Sequence, residues 1–225
     1  MRHWLVLGLA LLAFAGCGGS DDESGGASTD TSTVVTSSSS PPGPCSEVGP
    51  PEPRQEGGGK KETKLPAGKK PELVVETNCG NFTIKLDPAA SPKTVASVAG
   101  LAEAGFYDDT TFHRIVPGFV IQGGDPTATG TGGPGYSTVD TPAESTRYTK
   151  GVVAMAKTPA EAPGTSGSQF FIVTGADIGL PPQYAVIGKV TEGLNVVTKI
   201  GTLGDAGTEE PSQVIVISKM RLKDA

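Results

Sequence analysis

Arg114 is a permanent cation set inside an apolar run. It stands in FHRIVPGFVIQGGD, residues 112–125, beside a Pro-Gly turn, with Gln122 further along the same block. A charge buried there without a partner would be costly, so its neighbours must offset it. Arginine is always protonated, and its planar fork presents several donors in fixed directions. In a greasy wall such a fork can stabilise charge or a lone pair that develops during a reaction, without itself titrating.

Other chemistries are poorly served. His113 is the only histidine beyond the N-terminal His3. Strand alternation points it to the face opposite Arg114, as a packed neighbour. GTGGPG (130–135) spells a dinucleotide-binding GxGxxG, yet YSTVDTPAES after it has no helical period. GTSGSQ (164–169) only approximates a nucleophile elbow, because Ser168 stands where the last glycine belongs. Asp108, Asp109 and Asp125 have no metal-ligand company, and no metal is expected. The net charge of −6 leaves no basic face for nucleic acid.

The elements that must position Arg114 begin at Pro71. ELVVET and NFTIKL read as strands around an Asn-Cys-Gly turn, with Phe82, Ile84 and Leu86 alternating with polar residues. Ser91-Pro92 reads as an N-cap followed by proline at the first helical position, and Gly105 ends that helix. Further strand-like runs fall at 110–116, 119–122, 151–156, 169–173, 185–190 and 214–220. A second helix is expected over Glu192–Ile200, capped by Thr191. Short strands divided by Gly/Pro loops make a mainly β fold, a closed barrel or sandwich. A barrel this small fills its interior with side chains, so a ligand site belongs on its outer wall or rim.

Four blocks, FHRIVPGFVIQGGD, GTGGPGY (130–136), GSQFFI (167–172) and YAVIGKV (184–190), occur in an order and spacing that resemble the cyclophilin-type peptidyl-prolyl cis-trans isomerases. The resemblance covers residues 71 to about 222. It implies a closed eight-stranded antiparallel barrel capped by two α-helices, and catalysis of X-Pro isomerisation without a cofactor. Amide resonance sets a rotation barrier of about 18–20 kcal/mol. In the twisted transition state the lone pair localises on the prolyl nitrogen, which becomes an acceptor. A donor that meets it only there is catalytic.

Carried over residue by residue, the resemblance makes Arg114 that donor and Gln122 its orienting partner. Phe119, Val120, Phe171 and Leu180 would line a proline pocket, and Gln169 the adjoining groove. Ala156 and the backbone of Lys157 would hold the substrate chain. Tyr184 stands where many relatives carry histidine. Gly179 stands where many eukaryotic members carry tryptophan, which implies weak cyclosporin binding. Val120 replaces a usual methionine, Lys157 a usual asparagine, and the loop 158–166 is slightly long. A docking module that holds proline segments without turnover is the competing reading; an intact Arg114 argues for catalysis.

Upstream, Arg2 and the apolar run Trp4–Ala15 have the form of a secretion signal, too short to span a membrane. Ala15-Gly16-Cys17 resembles the lipobox of bacterial lipoproteins, with Phe14 in place of leucine. That implies a signal peptide at 1–16, diacylglycerol on Cys17 and an extracytoplasmic protein anchored to the membrane. Residues 17–70 are low-complexity and read as a tether, on the order of 40 Å in rms span. The domain proper is 71–225. Cys45 and Cys79 remain, either a disulfide or two free thiols. The expected partners are proline-containing peptides and unfolded secreted proteins, bound by a monomer.

Overall fold

The computed structural model describes residues 44–55, 57 and 71–223. The signal segment 1–16, Cys17 and residues 18–43, 56 and 58–70 of the expected tether lie outside the described residues.

Eight strands close into a barrel in the order β1 (Glu72–Thr77), β10 (Val216–Leu222), β3 (Thr110–Val116), β4 (Val120–Asp125), β8 (Phe170–Val173), β6 (Val152–Met155), β9 (Val186–Glu192) and β2 (Gly80–Leu86). Every neighbouring pair is antiparallel, including β1 with β2, which completes the ring. β5 (Thr138–Val139) and β7 (Thr165–Ser166) form a separate small ribbon. Two helices, α1 (Pro92–Glu103) and α2 (Leu194–Ile200), pack against β10 and β2. Among the described residues no helix is long and apolar enough to cross a membrane.

The alternating positions of β1 and β2 supply the interior: Leu73, Val75, Phe82, Ile84 and Leu86 are all buried there. Phe112 and Phe170 meet edge to face at 6.0 Å in the same core. The interior is therefore full. β8 is buried on both sides. Phe170 and Ile172 face the core, while Phe171 and Val173 join a second apolar cluster outside it, with Val120, Tyr148 and Ala154. That outer cluster is the platform on which a site can be built.

Three local expectations change. First, α1 begins at Pro92, but Ser91 makes no capping bond and its buried Oγ has no partner. The Thr94 N–H instead donates to Asp140 Oδ2 at 2.7 Å, so an aspartate from the 138–140 segment supplies the cap. Second, α2 starts at Leu194 rather than at residue 192. Glu192 is held in β9 by pairing with Thr83, and Gly193, at φ 72°, makes the turn into the helix. Third, β3 carries a bulge: its register shifts between Phe112 and Arg114. Phe112 and Ile115 both enter the core, so His113 and Arg114 both stay outside it, and simple alternation fails.

Residues 44–55 run along the barrel although composition places them in the tether. Cys45 is disulfide-bonded to Cys79 in the β1–β2 turn. Asn78 Nδ2 donates to Ser46 O at 2.8 Å, and the Arg54 N–H donates to Pro126 O at 2.8 Å. The Arg54 guanidinium reaches the carbonyls of Gly105 and Phe106. Polar and covalent links do here what a hydrophobic period does elsewhere, which is why periodicity gives no sign of them.

Candidate active site

Arg114 and Gln122 are register partners across β3 and β4. Arg114 Nη1 donates to Gln122 Oε1 at 3.3 Å. Gln122 Nε2 donates in turn to Gln169 Oε1 at 3.0 Å. Gln169 Nε2 ends the relay on the carbonyls of Gly130 and Gly132, both at 2.9 Å. Each amide thus has its oxygen accepting and its nitrogen donating, and the arginine is tied through two glutamines to the 126–135 loop.

That loop is organised by Asp125, fully buried at the end of β4. Its Oδ1 accepts from the Thr127 backbone at 2.7 Å and hydroxyl at 2.8 Å, and its Oδ2 from Gly132 N–H at 3.1 Å. Burial pushes this carboxyl up, but the hydrogen bonds outweigh it and hold the group below the usual carboxylate range.

Beside Arg114 lies a hollow of about 310 Å³. Val120 and Phe171 are its buried apolar floor, and Phe119, Leu180 and Tyr184 line it as well. Gln122, Ala156 and Lys157 complete the wall. They also border a second groove of about 380 Å³, which holds Gln169, Tyr136 and the 130–135 loop. Nine of the ten residues assigned from the sequence therefore surround one hollow, and Gln169 lines the neighbouring groove. Cys45 and Cys79 lie apart from it, and Cys17 is outside the described residues.

Several details refine the site. The Ala156 N–H is taken by Gln169 O at 2.9 Å, so that donor is not free for a substrate chain. Lys157 folds back: Nζ donates to the carbonyls of Thr158 and Glu161, both at 3.1 Å, and lies 5.6 Å from the Tyr184 ring centre. Tyr184 stacks edge-on against Phe171 at 5.5 Å. His113 does not line the hollow; its Nδ1 is buried without a partner, and burial holds its imidazole below its ordinary pKa.

Two residues of the site escape a sequence reading. Tyr148 is fully buried under the outer cluster. Its hydroxyl donates to Tyr184 O at 2.8 Å and accepts from Tyr184 N–H at 2.9 Å, which clamps the backbone of a hollow-lining residue. Glu209 bonds Arg114 directly, with Oε2 at 2.6 Å from Nε. Neither TRYTKG nor GTEEP carries a period or spacing that marks these roles.

The described residues thus form a closed barrel with Arg114 beside a largely apolar hollow built on the cluster outside the barrel core. Residues 72–222 match the family model described as cyclophilin type peptidyl-prolyl cis-trans isomerase/CLD. The chain belongs to this family and is a cyclophilin-type peptidyl-prolyl isomerase. It is 34% identical over 163 residues to the Arabidopsis thaliana protein peptidyl-prolyl cis-trans isomerase CYP18-2, covering 71% of this chain and 98% of that one. It is 37% identical over 167 residues to the Mycobacterium tuberculosis peptidyl-prolyl cis-trans isomerase A, covering 66% and 90%. A crystal structure of a Cryptosporidium parvum cyclophilin type isomerase superposes with a TM-score of 0.64 at 29% identity, covering 70% of this chain and 99% of that one. A second crystal structure of that protein, in the presence of the dipeptide Ala-Pro, gives a TM-score of 0.62 at 29% identity, covering 68% and 99%.

Proposed function

We propose that this isomerase rotates X-Pro bonds in extracytoplasmic proteins, with Arg114 donating to the prolyl nitrogen as the amide twists. The observation that carries the reading is the place of Arg114 in the wall of the same hollow as Phe119, Val120 and Phe171. A proline ring seated on that floor would bring its nitrogen against the guanidinium. Among the described residues Arg114 Nη2 carries no hydrogen bond, so a donor remains for it. Rotation breaks no covalent bond and moves no proton between groups. The chain needs only to hold the ring, leave the acyl side free to turn, and offer a donor that the planar amide cannot use. The Ala-Pro dipeptide used with the Cryptosporidium parvum relative supports proline-containing peptides as substrates.

The extracytoplasmic role rests on the signal-like N-terminus and the lipobox-like Cys17, with unfolded secreted proteins as clients and lipid as the anchor. Acylation of Cys17 is read from the mass of the mature protein.

The catalytic assignment is tested by isomerisation of an Ala-Pro peptide. Arg114→Ala is expected to lower kcat/KM roughly 10- to 150-fold, from about 1.5–3 kcal/mol for a charged hydrogen bond. The wild-type rate is expected to be flat between about pH 6 and 9, since arginine does not titrate there. An Arg114→Ala variant with full activity, or a steep bell-shaped profile, overturns the assignment.

A further inference from the structure

The loop between α2 and β10 delivers one carboxylate to Arg114, and it is built to do so. Gly204 and Pro211 bridge its two arms. Within it the Asp205 N–H donates to Glu210 O at 2.9 Å, and the Glu209 N–H donates to Asp205 O at 2.8 Å. Asp205 Oδ1 accepts from Gly207 and Thr208 N–H, both at 2.8 Å. The loop docks its backbone on β3, where Glu209 O accepts from the Ile115 N–H at 2.9 Å. A Cβ on Gly204 would stand 2.1 Å from Ile115 O, so this close approach requires glycine. Glu209 itself sits at φ 62°, a left-handed conformation that few side chains adopt.

Glu209 is thus tied twice to adjacent residues of β3. Its carbonyl holds the backbone of Ile115, and its carboxylate holds Nε of Arg114 at 2.6 Å. Both groups of the ion pair are about a third or more exposed, at 34% and 43%, so its weight lies in geometry rather than in stability. A guanidinium is planar. Fixing Nε by Glu209 and Nη1 by Gln122 fixes the plane, and with it the direction of the remaining N–H groups. Glu209 is absent from the lining of the hollow.

We infer that Glu209 is a positioning residue for catalysis: it sets the plane of the Arg114 guanidinium so that the free donors meet the prolyl nitrogen in the twisted amide. This assignment rests on Arg114 being the transition-state donor. A wandering guanidinium would still lie beside the slot and bind the planar peptide. The loss from removing Glu209 therefore falls on kcat and spares KM.

The test measures kcat and KM of the full chain on an Ala-Pro peptide by exchange NMR, for wild type, Arg114→Ala, Glu209→Asn, Glu209→Gln and the double variant Arg114→Ala/Glu209→Asn. Asparagine tolerates the left-handed turn but is shorter, and glutamine keeps the reach and an acceptor oxygen without the charge. Glu209→Asn is expected to lower kcat about 5- to 10-fold with KM within about twofold, and Glu209→Gln to recover part of that loss. In the Arg114→Ala background Glu209→Asn is expected to change nothing further. If Arg114→Ala is impaired while both Glu209 variants keep wild-type kcat, Glu209 has no such role and the Arg114 reading stands. Losses that multiply in the double variant, or that fall on KM alone, overturn the positioning role too. An unimpaired Arg114→Ala removes the reading on which both depend.

Discussion

Arg114 and Gln122 face each other across two strands, and Gln122 is the link between the cation and the amide of Gln169. The side chain of Gln122 satisfies one donor of the fork and anchors the neighbouring groove at once. Gln122→Ala leaves Gln169 Oε1 without that donor and frees Nη1. The expected outcome is a roughly 5- to 15-fold fall in kcat/KM, about 1–1.5 kcal/mol, with the melting temperature nearly unchanged. Steady-state assay and a thermal melt check it. A large fall in melting temperature with intact kcat/KM would make Gln122 a structural residue instead.

The cap of α1 offers a paired prediction. Ser91 has the sequence position of an N-cap but no capping bond, whereas Asp140 accepts from the Thr94 N–H at 2.7 Å. Asp140→Ala is expected to destabilise by about 1 kcal/mol, and Ser91→Ala to be neutral or mildly stabilising, since its buried hydroxyl has no partner. Urea titration of both variants decides it; the reverse order would show that Ser91 caps the helix in solution.

His113 sets an acid sensitivity of stability, not of turnover. Burial lowers its folded pKa below the ordinary value of 6.5, with Asp125 opposing the shift and Arg114 adding to it. The unfolded chain then binds the proton more readily than the native one. Stability is unaffected well above pH 6.5, falls as pH drops below the unfolded value, and levels off below the folded one. Asp125 and Glu209 are both held below the usual carboxylate range, so they stay ionised through this window. Unfolding midpoints at pH 7.5 and 5 should fall more for wild type than for His113→Gln. Equal falls in the two proteins would rule His113 out as the source.

Gly179 lies at φ 63° with no heavy atom within 4 Å of a Cβ built on it. Its neighbour Leu180 lines the hollow. Cyclosporin is expected to inhibit this chain roughly 10- to 100-fold less well than a tryptophan-bearing relative, which has both a large apolar wall and an indole donor. Gly179→Trp is expected to recover only part of the difference, because the left-handed backbone strains any side chain there. Inhibition curves for the three proteins check it; wild-type inhibition equal to the relative's removes the argument from the missing wall.

The strands were largely legible from alternation and from Gly/Pro punctuation. Closure was not: patterning allowed a barrel or a sandwich, the closed barrel was implied by four motif blocks whose spacing resembles a family, and the order of its strands was legible in neither. Arg114 stood out as a cation in an apolar run, whereas Gln122, Phe119 and Phe171 gained their roles only through the family resemblance. Tyr148 and Glu209 were marked by neither, because each acts through a contact made only when distant segments fold together. The bulge at His113 was hidden for a related reason. It is defined by register against β4, which one strand's own sequence does not express.

The bond from Cys45 to Cys79 fixes where mechanical load enters the domain. Tension applied upstream of Cys45 arrives at the β1–β2 turn through that bond. With that bond reduced, the load would fall first on the polar links of residues 46–55 to the barrel, among them Asn78 to Ser46 and Arg54 to Pro126. The oxidation state of one cystine therefore decides whether such a pull is borne by a covalent bond or by hydrogen bonds.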